Sequence, residues 1–202
     1  MAKYYFRLAL LVGAIVGFFA IIGSVLPRSY SFSTEIEITA EPAMVFAKIN
    51  SLRSWQEWSR QWNPDEIADL EIQYNGEPVG AGAAQSWTDI RGNGKLWITA
   101  SQLNESIEYE MKFAKFPTMT SQIELSPVTT GEQDKATHVR WSSQGRLPSG
   151  PFYGYFGAFF SAQMKSEYEK SLKKLKSILE PESAVDSKAN AGPDQEFESG
   201  PE

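Results

Sequence analysis

Few side chains in this 202-residue sequence are suited to acid–base, nucleophilic or metal chemistry. The chain has one histidine, His138, and no cysteine, which excludes a thiol nucleophile, a disulfide and a cysteine-based zinc site. With a single histidine, the sequence offers few candidate residues for a Ser-His-Asp triad or a histidine-based metal site. His138 falls with Arg140 and Ser142 on the polar side of a predicted strand, where we expect it to be exposed.

No cofactor and no nucleic-acid partner are predicted. The glycines of "NGEPVGAG" do not open a helix and lack the spacing of a dinucleotide-binding loop. The chain carries a formal charge of −6, and its basic residues form no patch interleaved with aromatic side chains. Such a patch is the usual footprint of nucleic-acid binding.

Carboxylate pairs can act as general acid and base, but most acids here fall on the polar side of predicted strands. These acids are Glu35, Glu37, Glu71, Glu108, Glu110 and Glu124. A solvated sheet face accounts for that pattern. Asp89 differs because it shares the parity of Trp87, although it lies at a strand end. Asp89 and Tyr109 are therefore the acid–base candidates if the protein is an enzyme.

A different chemistry, the binding of a hydrophobic ligand, is indicated by the apolar side of the strands and of the last helix. We expect one shared interior to be lined by Trp87, Trp97, Tyr109, Met111, Ile123, Trp141, Phe156, Phe160 and Met164. Leu96 and Ile98 compete with Trp97 for the inward side. The small or polar residues Gln85, Ser121 and Ser143 share the interior parity, and they either orient a ligand or bind water.

The elements that position these residues are predicted from hydrophobic periodicity. A strand at Tyr30–Ile38 precedes two short helices, of which the second, "SWQEWSRQW", places Trp55, Trp58 and Trp62 at helical spacing. Six segments of period two follow, joined by short turns, and predict an antiparallel meander. The segment from 151 to 179 carries an apolar stripe at i, i+3 and i+4, which predicts a long closing helix. The fold class is α+β.

The N-terminal segment is predicted to be an uncleaved membrane anchor. Leu8 to Leu26 carries no charge, and about 20 apolar residues cross a bilayer. A secretory signal has a shorter apolar region and a small-x-small cleavage site, which "GSVLPRS" does not offer. Lys3 and Arg7 precede the segment and Arg28 follows it, so we expect a cytoplasmic N-terminus. This predicts a single-pass inner-membrane protein with a periplasmic or other extracytoplasmic domain.

The C-terminal segment, 181–202, is predicted to be a disordered tail. It is acidic and has too few apolar residues to offset the entropy of ordering. A solubilising role is favoured over a partner-binding one. The predicted organisation is an anchor at 1–28, a ligand-binding domain at 29–180 and this tail.

The order of elements resembles the START/Bet v 1-like (SRPBCC) superfamily, and more closely the bacterial polyketide cyclase/dehydrase and lipid-transport family. The resemblance is carried by "EIEITAEPAMVFAKINSLRSWQEWSRQW", "EPVGAGAAQSWTD", "ITASQLNESIEYEM" and "THVRWSSQG", within about Ser29 to Glu180. It implies a helix-grip fold, in which a curved seven-stranded antiparallel sheet wraps the long helix around an apolar cavity. It further implies that Trp58 packs inward with Phe46, that Trp55 and Trp62 lie nearer the surface, and that the cavity mouth is beside them.

These observations predict a membrane-anchored binding module for a hydrophobic small molecule or lipid. Two alternatives remain open. One is a cyclase or dehydratase type of enzyme that uses Asp89 or Tyr109 as acid or base. The other is a protein-interaction module whose cavity is filled by its own side chains. The pattern of large residues beside Ser121 and Ser143 on a curved sheet predicts space between the sheet and the helix.

Overall fold

The structure is a computed structural model that describes residues 2–114, 116–129 and 135–180. The predicted order of elements is confirmed. The helices are α1 (Ala2–Val25), α2 (Pro42–Ile49), α3 (Trp55–Trp58) and α4 (Tyr153–Leu179), with a 3-10 turn at Arg60–Trp62. The strands are β1 (Ser29–Ile38), β2 (Glu71–Gly76), β3 (Ala83–Asp89), β4 (Gly92–Gln102), β5 (Ser106–Phe113), β6 (Met119–Thr129) and β7 (Lys135–Arg146). The predicted disordered tail lies outside the described residues.

The strands form one seven-stranded antiparallel sheet in the order β1-β7-β6-β5-β4-β3-β2. The register brings the start of β1 to the end of β7, since Ser29 pairs with Arg146. At the same end of the sheet, Met111 pairs with Met119 and Asp89 pairs with Gly92. We call this the α1 end of the sheet, because β1 follows α1 directly. The opposite, far end carries the turn between β4 and β5.

The helix α4 lies against the sheet and closes the core. Tyr168, Leu172 and Leu175 are buried on its inner side. The helix α2 begins with Pro42 in its first turn, where the missing N–H costs nothing, and buries Val45, Phe46 and Ile49. This arrangement is the α+β helix-grip fold that the sequence predicts, with an apolar N-terminal helix ahead of it.

The tryptophan segment is not one continuous helix. The helix α3 ends at Trp58, because Ser59 is extended with φ −89° and ψ 117°, and a 3-10 turn then carries Trp62. All three tryptophans are buried, so the expectation that Trp55 and Trp62 lie nearer the surface is wrong. The break at Ser59 turns Trp62 inward as well. The Trp55 indole N–H donates to the Ile49 carbonyl at 2.8 Å, which fixes α3 against α2.

The helix α1 is exposed over most of its length. Among the described residues, one helix, Lys3–Val25, is long and apolar enough to cross a membrane, a property that membrane spans share with signal sequences. Its C-terminal half contacts the first turns of α4. The Tyr155 hydroxyl donates to the Phe19 carbonyl at 2.7 Å.

Candidate ligand-binding site

The centre of the interior is filled by a hydrogen-bonded cluster of polar and aromatic side chains. The Tyr168 hydroxyl lies 3.1 Å from the Tyr109 hydroxyl and 3.0 Å from the Ser143 hydroxyl. Ser143 and Ser121 are 2.6 Å apart, and the Trp141 indole N–H donates to Tyr109 at 3.0 Å. The Trp141 and Tyr168 rings stack at 3.7 Å. The predicted space between the sheet and α4 therefore does not lie beside Ser121 and Ser143, because these hydroxyls are occupied by one another and by Tyr168.

Burial controls the chemistry of the two tyrosines in this cluster. Desolvation raises the pKa of Tyr109 well above its ordinary value, and the neighbouring Tyr168 raises it further. Desolvation also raises the pKa of Tyr168. Both phenols are therefore neutral at physiological pH, and both are enclosed. Tyr109 is placed to hold the core together and does not face a substrate-sized space.

An apolar pocket of about 360 Å³ lies to one side of this cluster, at the α1 end of the sheet. Its wall combines the 3-10 turn, the ends of β3 and β5, the start of β6 and one side of α4. The hydrophobic lining residues are Tyr30, Trp62, Ile67, Trp87, Met111, Phe113, Phe116, Pro117, Met119, Phe160 and Met164. The Trp62 and Trp87 rings meet edge to face at 4.4 Å and form the inner wall. The pocket is large enough for a small organic ligand, since such sites usually measure about 300–1,000 Å³.

The charged residues around the pocket are paired with each other. Arg60 Nη2 lies 2.8 Å from a Glu66 carboxylate oxygen, and Arg60 Nε lies 3.5 Å from Glu167. The longer contact is an ion pair without a hydrogen bond, since Arg60 Nε has no hydrogen-bond partner among the described residues. Arg91, also on the rim, pairs with Asp89. The rim is therefore polar but nearly compensated, and it suits the polar end of an amphiphile better than a bare ion.

Asp89 is held by Arg91 and is not a free base. Its carboxylate accepts hydrogen bonds from the Arg91 backbone N–H at 2.7 Å and from the guanidinium at 2.6 and 3.1 Å. Burial by itself would raise the pKa of this carboxyl, but the hydrogen bonds from Arg91 outweigh it and lower the pKa below its ordinary value. A lowered pKa makes a weak proton acceptor at neutral pH.

Four buried side chains near the pocket carry polar atoms that have no hydrogen-bond partner in the described part of the chain. These atoms are Ser59 Oγ, Arg60 Nε, Trp62 Nε1 and both amide atoms of Gln85. A buried polar group without a hydrogen bond costs about 1–3 kcal/mol, so water or a ligand atom is expected to satisfy it. Trp62 lines the pocket with its ring, whereas its indole N–H is itself buried.

The residues predicted to share one interior separate into three groups. The pocket itself is lined by Trp87, Met111, Phe160 and Met164. The closed core beside it holds Gln85, Tyr109, Ser121, Ile123, Trp141 and Ser143. Trp97 and Phe156 lie in neither.

Trp97 and Phe156 correct the predicted interior. Leu96 and Ile98 are buried at 0% and 2% exposure, so the half-buried Trp97 lies on the opposite face of β4. Phe156 is 55% exposed, because the first turns of α4 extend past the sheet toward α1. Their predicted inward positions are wrong. His138 is half-buried on the outer face, with its Nε2 3.4 Å from a Glu35 oxygen.

Several residues that line the pocket are not among those predicted from the sequence. They are Tyr30, Arg60, Trp62, Phe113, Phe116 and Met119. Most of these lie where β1, β5 and β6 reach the α1 end of the sheet. Phe113 continues the parity of Met111, and Tyr30 begins the apolar parity of β1. These residues could have been found from their shared position at one end of the sheet. Recognising that position requires the order in which the strands pair as well as the alternation of side chains.

Comparisons with known proteins agree with this architecture. No curated protein matches the chain. Several solved structures are similar to the chain. XoxI from Bacillus cereus is 17% identical, the match covers 74% of this chain and 95% of that chain, and the TM-score is 0.52. The Aha1 dimer from Colwellia psychrerythraea has 16% identity, coverage of 74% and 96%, and a TM-score of 0.51. A protein from Nitrosospira multiformis has 19% identity, coverage of 76% and 98%, and a TM-score of 0.53.

Likeness at these identities shows the fold. The family is shown by a family model described as polyketide cyclase / dehydrase and lipid transport, which matches residues 29–180. That range begins with β1 and ends just after α4, and it contains the whole pocket wall. The chain thus belongs to the polyketide cyclase/dehydrase and lipid-transport family.

Proposed function

We propose that this protein is a membrane-anchored binding module that holds a hydrophobic small molecule or lipid in the pocket between the 3-10 turn, the sheet and α4. The observation that carries the proposal is the open apolar pocket itself, at about 360 Å³. A core filled throughout by its own side chains would leave no such volume. The lipid-transport part of the family description agrees with an apolar ligand.

The wall chemistry favours an amphiphile with an apolar body. Trp87, Met111 and Phe116 offer aromatic and thioether surface to that body. The ion-paired Arg60 and Arg91 on the rim are placed to meet a polar end. A single-chain fatty acid or a compact polycyclic molecule has this distribution. Of the lining residues predicted from the sequence, we therefore propose four as ligand contacts: Trp87, Met111, Phe160 and Met164.

The anchoring part of the proposal concerns α1. We propose that segment 1–28 is an uncleaved inner-membrane anchor, that 29–180 is the binding domain on the periplasmic side, and that 181–202 is a solubilising tail. Lys3 and Arg7 before the apolar run support this orientation. A C-terminal fusion to alkaline phosphatase is expected to be active, whereas activity only of a cytoplasmic fluorescent fusion would reverse the orientation.

Ligand binding is tested with the full chain in detergent micelles, using palmitic acid as the probe and native mass spectrometry as the readout. Wild type is expected to appear with one bound molecule, either co-purified or added. Met164→Trp places a larger side chain in the pocket and is expected to abolish the bound species. Because that volume is empty, the variant is expected to unfold at the same temperature as wild type.

The matched control is Lys165→Trp, which adds the same side chain to the neighbouring, exposed position on α4. It is expected to bind palmitic acid like wild type. A wild type that is empty and takes up no palmitic acid would contradict the proposal and favour the protein-interaction alternative. Equal binding by wild type and Met164→Trp would move the site elsewhere.

A further inference from the structure

The first turns of α4 expose a row of phenylalanines on one face. Phe152 at the N-cap, and Phe156 and Phe159 within the helix, are spaced four and three residues apart, so they project from the same side. They are 48%, 55% and 69% exposed. Large aromatic side chains in this density are uncommon on a water-facing helix and indicate a surface that another apolar phase covers.

The helix α1 is packed against this part of α4. The Tyr155 hydroxyl bonds the Phe19 carbonyl at 2.7 Å, and the two rings are 6.3 Å apart. Two glycines permit the close approach. A Cβ added at Gly23 would lie 1.7 Å from the Pro151 carbonyl oxygen, and one at Gly154 would lie 2.5 Å from Leu26 Cβ. The position of the row relative to α1 is therefore fixed by contacts.

The contact between Phe19 and Tyr155 fixes the depth at which Tyr155 would lie in a bilayer that α1 spans. Phe19 lies about two helical turns before the end of the apolar run at Leu26, which is roughly 10 Å along the helix axis. If Leu8 to Leu26 crosses the hydrocarbon core, Tyr155 lies in the outer 10 Å or so of the bilayer. Amphipathic interfacial helices bury their apolar face to about 5–10 Å, and tyrosine is enriched at that level.

The pocket lies at the same end of the molecule. Its lining residues Phe113, Phe116 and Met119 lie where β5 ends and β6 begins, and Phe160 follows the exposed row by one residue. Ile90, on the two-residue turn between β3 and β4, also reaches this end and is 78% exposed. Arg28 and Arg146 lie at this end as well and can meet lipid phosphates.

We propose that the α1 end of the domain is inserted into the bilayer surface through Phe152, Phe156, Phe159 and Ile90, and that the pocket exchanges its ligand directly with the membrane. The occupant of this surface is the lipid headgroup and upper acyl region of the membrane that α1 spans. The proposal rests on the anchoring and ligand binding proposed above. It adds a second membrane contact, a fixed orientation, and a source for the ligand within the bilayer.

The test uses the full chain in phosphatidylglycerol/phosphatidylcholine nanodiscs. The natural chain has no cysteine, so a single spin label can be placed at Phe159→Cys or Ile90→Cys. Electron paramagnetic resonance then compares the label's accessibility to oxygen, which concentrates in the bilayer, with its accessibility to a water-soluble nickel complex. Both positions are expected to favour oxygen over the nickel complex.

Two reference positions make the outcomes separable. Leu103→Cys is the matched control, because Leu103 is 77% exposed on the far end, across the length of β4 or roughly 35 Å away. It is expected to favour the nickel complex. Val16→Cys reports whether α1 itself is inserted. A water-exposed Val16 label would refute the anchoring, and an empty pocket with membrane-shielded labels would refute only the ligand binding.

The inference itself is overturned by three results obtained while the Val16 label is inserted. The first is a Phe159 label as accessible to the nickel complex as the Leu103 label. The second is an Ile90 label in water, which would remove the pocket edge from the bilayer. The third is a Phe159 label shielded from both reagents, which would indicate coverage by protein, such as a second copy of the chain.

Discussion

Trp55 and Trp58 are fully buried at the contact between α3 and the sheet. Their rings are 5.2 Å apart, and both meet the Trp141 ring, at 6.0 and 5.5 Å. The burial of Trp58 could be anticipated from the helical spacing of the tryptophans, because aromatic residues at such intervals usually bury area. The full burial of Trp55 could not, since it depends on the rings of Trp58, Tyr109 and Trp141 that surround it in the interior.

Replacing either tryptophan with alanine is expected to be costly. Trp58→Ala and Trp55→Ala should each lower the free energy of unfolding by about 3–5 kcal/mol, because each leaves a large cavity in a packed core. Urea unfolding of the full chain in micelles, followed by near-ultraviolet circular dichroism, measures the loss. Trp97→Ala on the outer face is the control and should lose clearly less. Equal losses at Trp97 and Trp58 would contradict the assigned faces.

Trp97 shows where alternation alone fails. The register of β4 against β5 is irregular between Ile98 and Ala100, so the strict period of two does not hold along the whole strand. A strict alternation carried across this irregularity therefore assigns Trp97 to the wrong face. Leu96 and Ile98 alternate with Trp97 along the strand. The structure buries these two aliphatic side chains on the inner face, which leaves Trp97 on the outer face.

Asp89 is expected to make the free energy of unfolding depend on pH in the acidic range. Its folded-state pKa is lowered, so its contribution is fully present above the unfolded-state pKa of about 3.9 and is lost as pH falls through the folded-state value. Asp89→Asn removes that contribution. Unfolding free energies measured from pH 6 down to pH 3 should fall less steeply for Asp89→Asn than for wild type. Parallel curves would show that Arg91 does not stabilise the carboxylate.

At the scale of elements, the joint between α1 and α4 is the least expected feature. Sequence periodicity gives each helix separately, but a contact between residues 19 and 155 depends on the sheet that separates them in the chain. The two glycines at this joint resemble the small residues that allow helices in membranes to pack closely. The joint orients the domain relative to the apolar helix, and with it the pocket mouth.

Gly154→Leu is expected to separate the two helices, since even a Cβ there would lie 2.5 Å from Leu26 Cβ. Overpacking of about 1–3 kcal/mol should lower the equilibrium constant for joining the two helices by about 5- to 150-fold. The yield of a short bismaleimide cross-link between Phe19→Cys and Tyr155→Cys measures that population. Gly13→Leu is the control, because no atom lies within 4 Å of its added Cβ. An unchanged yield in Gly154→Leu would exclude the joint.

At the scale of the whole molecule, the helix-grip architecture and a cavity beside the tryptophan segment were predictable, and the closed centre of the core was not. The order of elements follows from the switch between periods of two and 3.6, and short turns restrict the pairing to neighbours. The pocket depends on which interior side chains meet. Tyr109, Trp141 and Tyr168 fill the centre through their hydrogen bonds, so the remaining space lies beside Trp62 and Trp87.

The proposed binding place of the apolar ligand is the side pocket and not the centre of the core. The most direct measurement is photochemical labelling of the full chain in nanodiscs with a palmitic acid analogue that carries a diazirine near its terminal methyl. Sequencing of the labelled peptides is expected to place the label on Trp87, Met111 or Met164, which face the pocket. The same peptides should lose the label in Met164→Trp and keep it in Lys165→Trp. Labels confined to α1 and the exposed phenylalanines, with none on the pocket wall, would contradict the account.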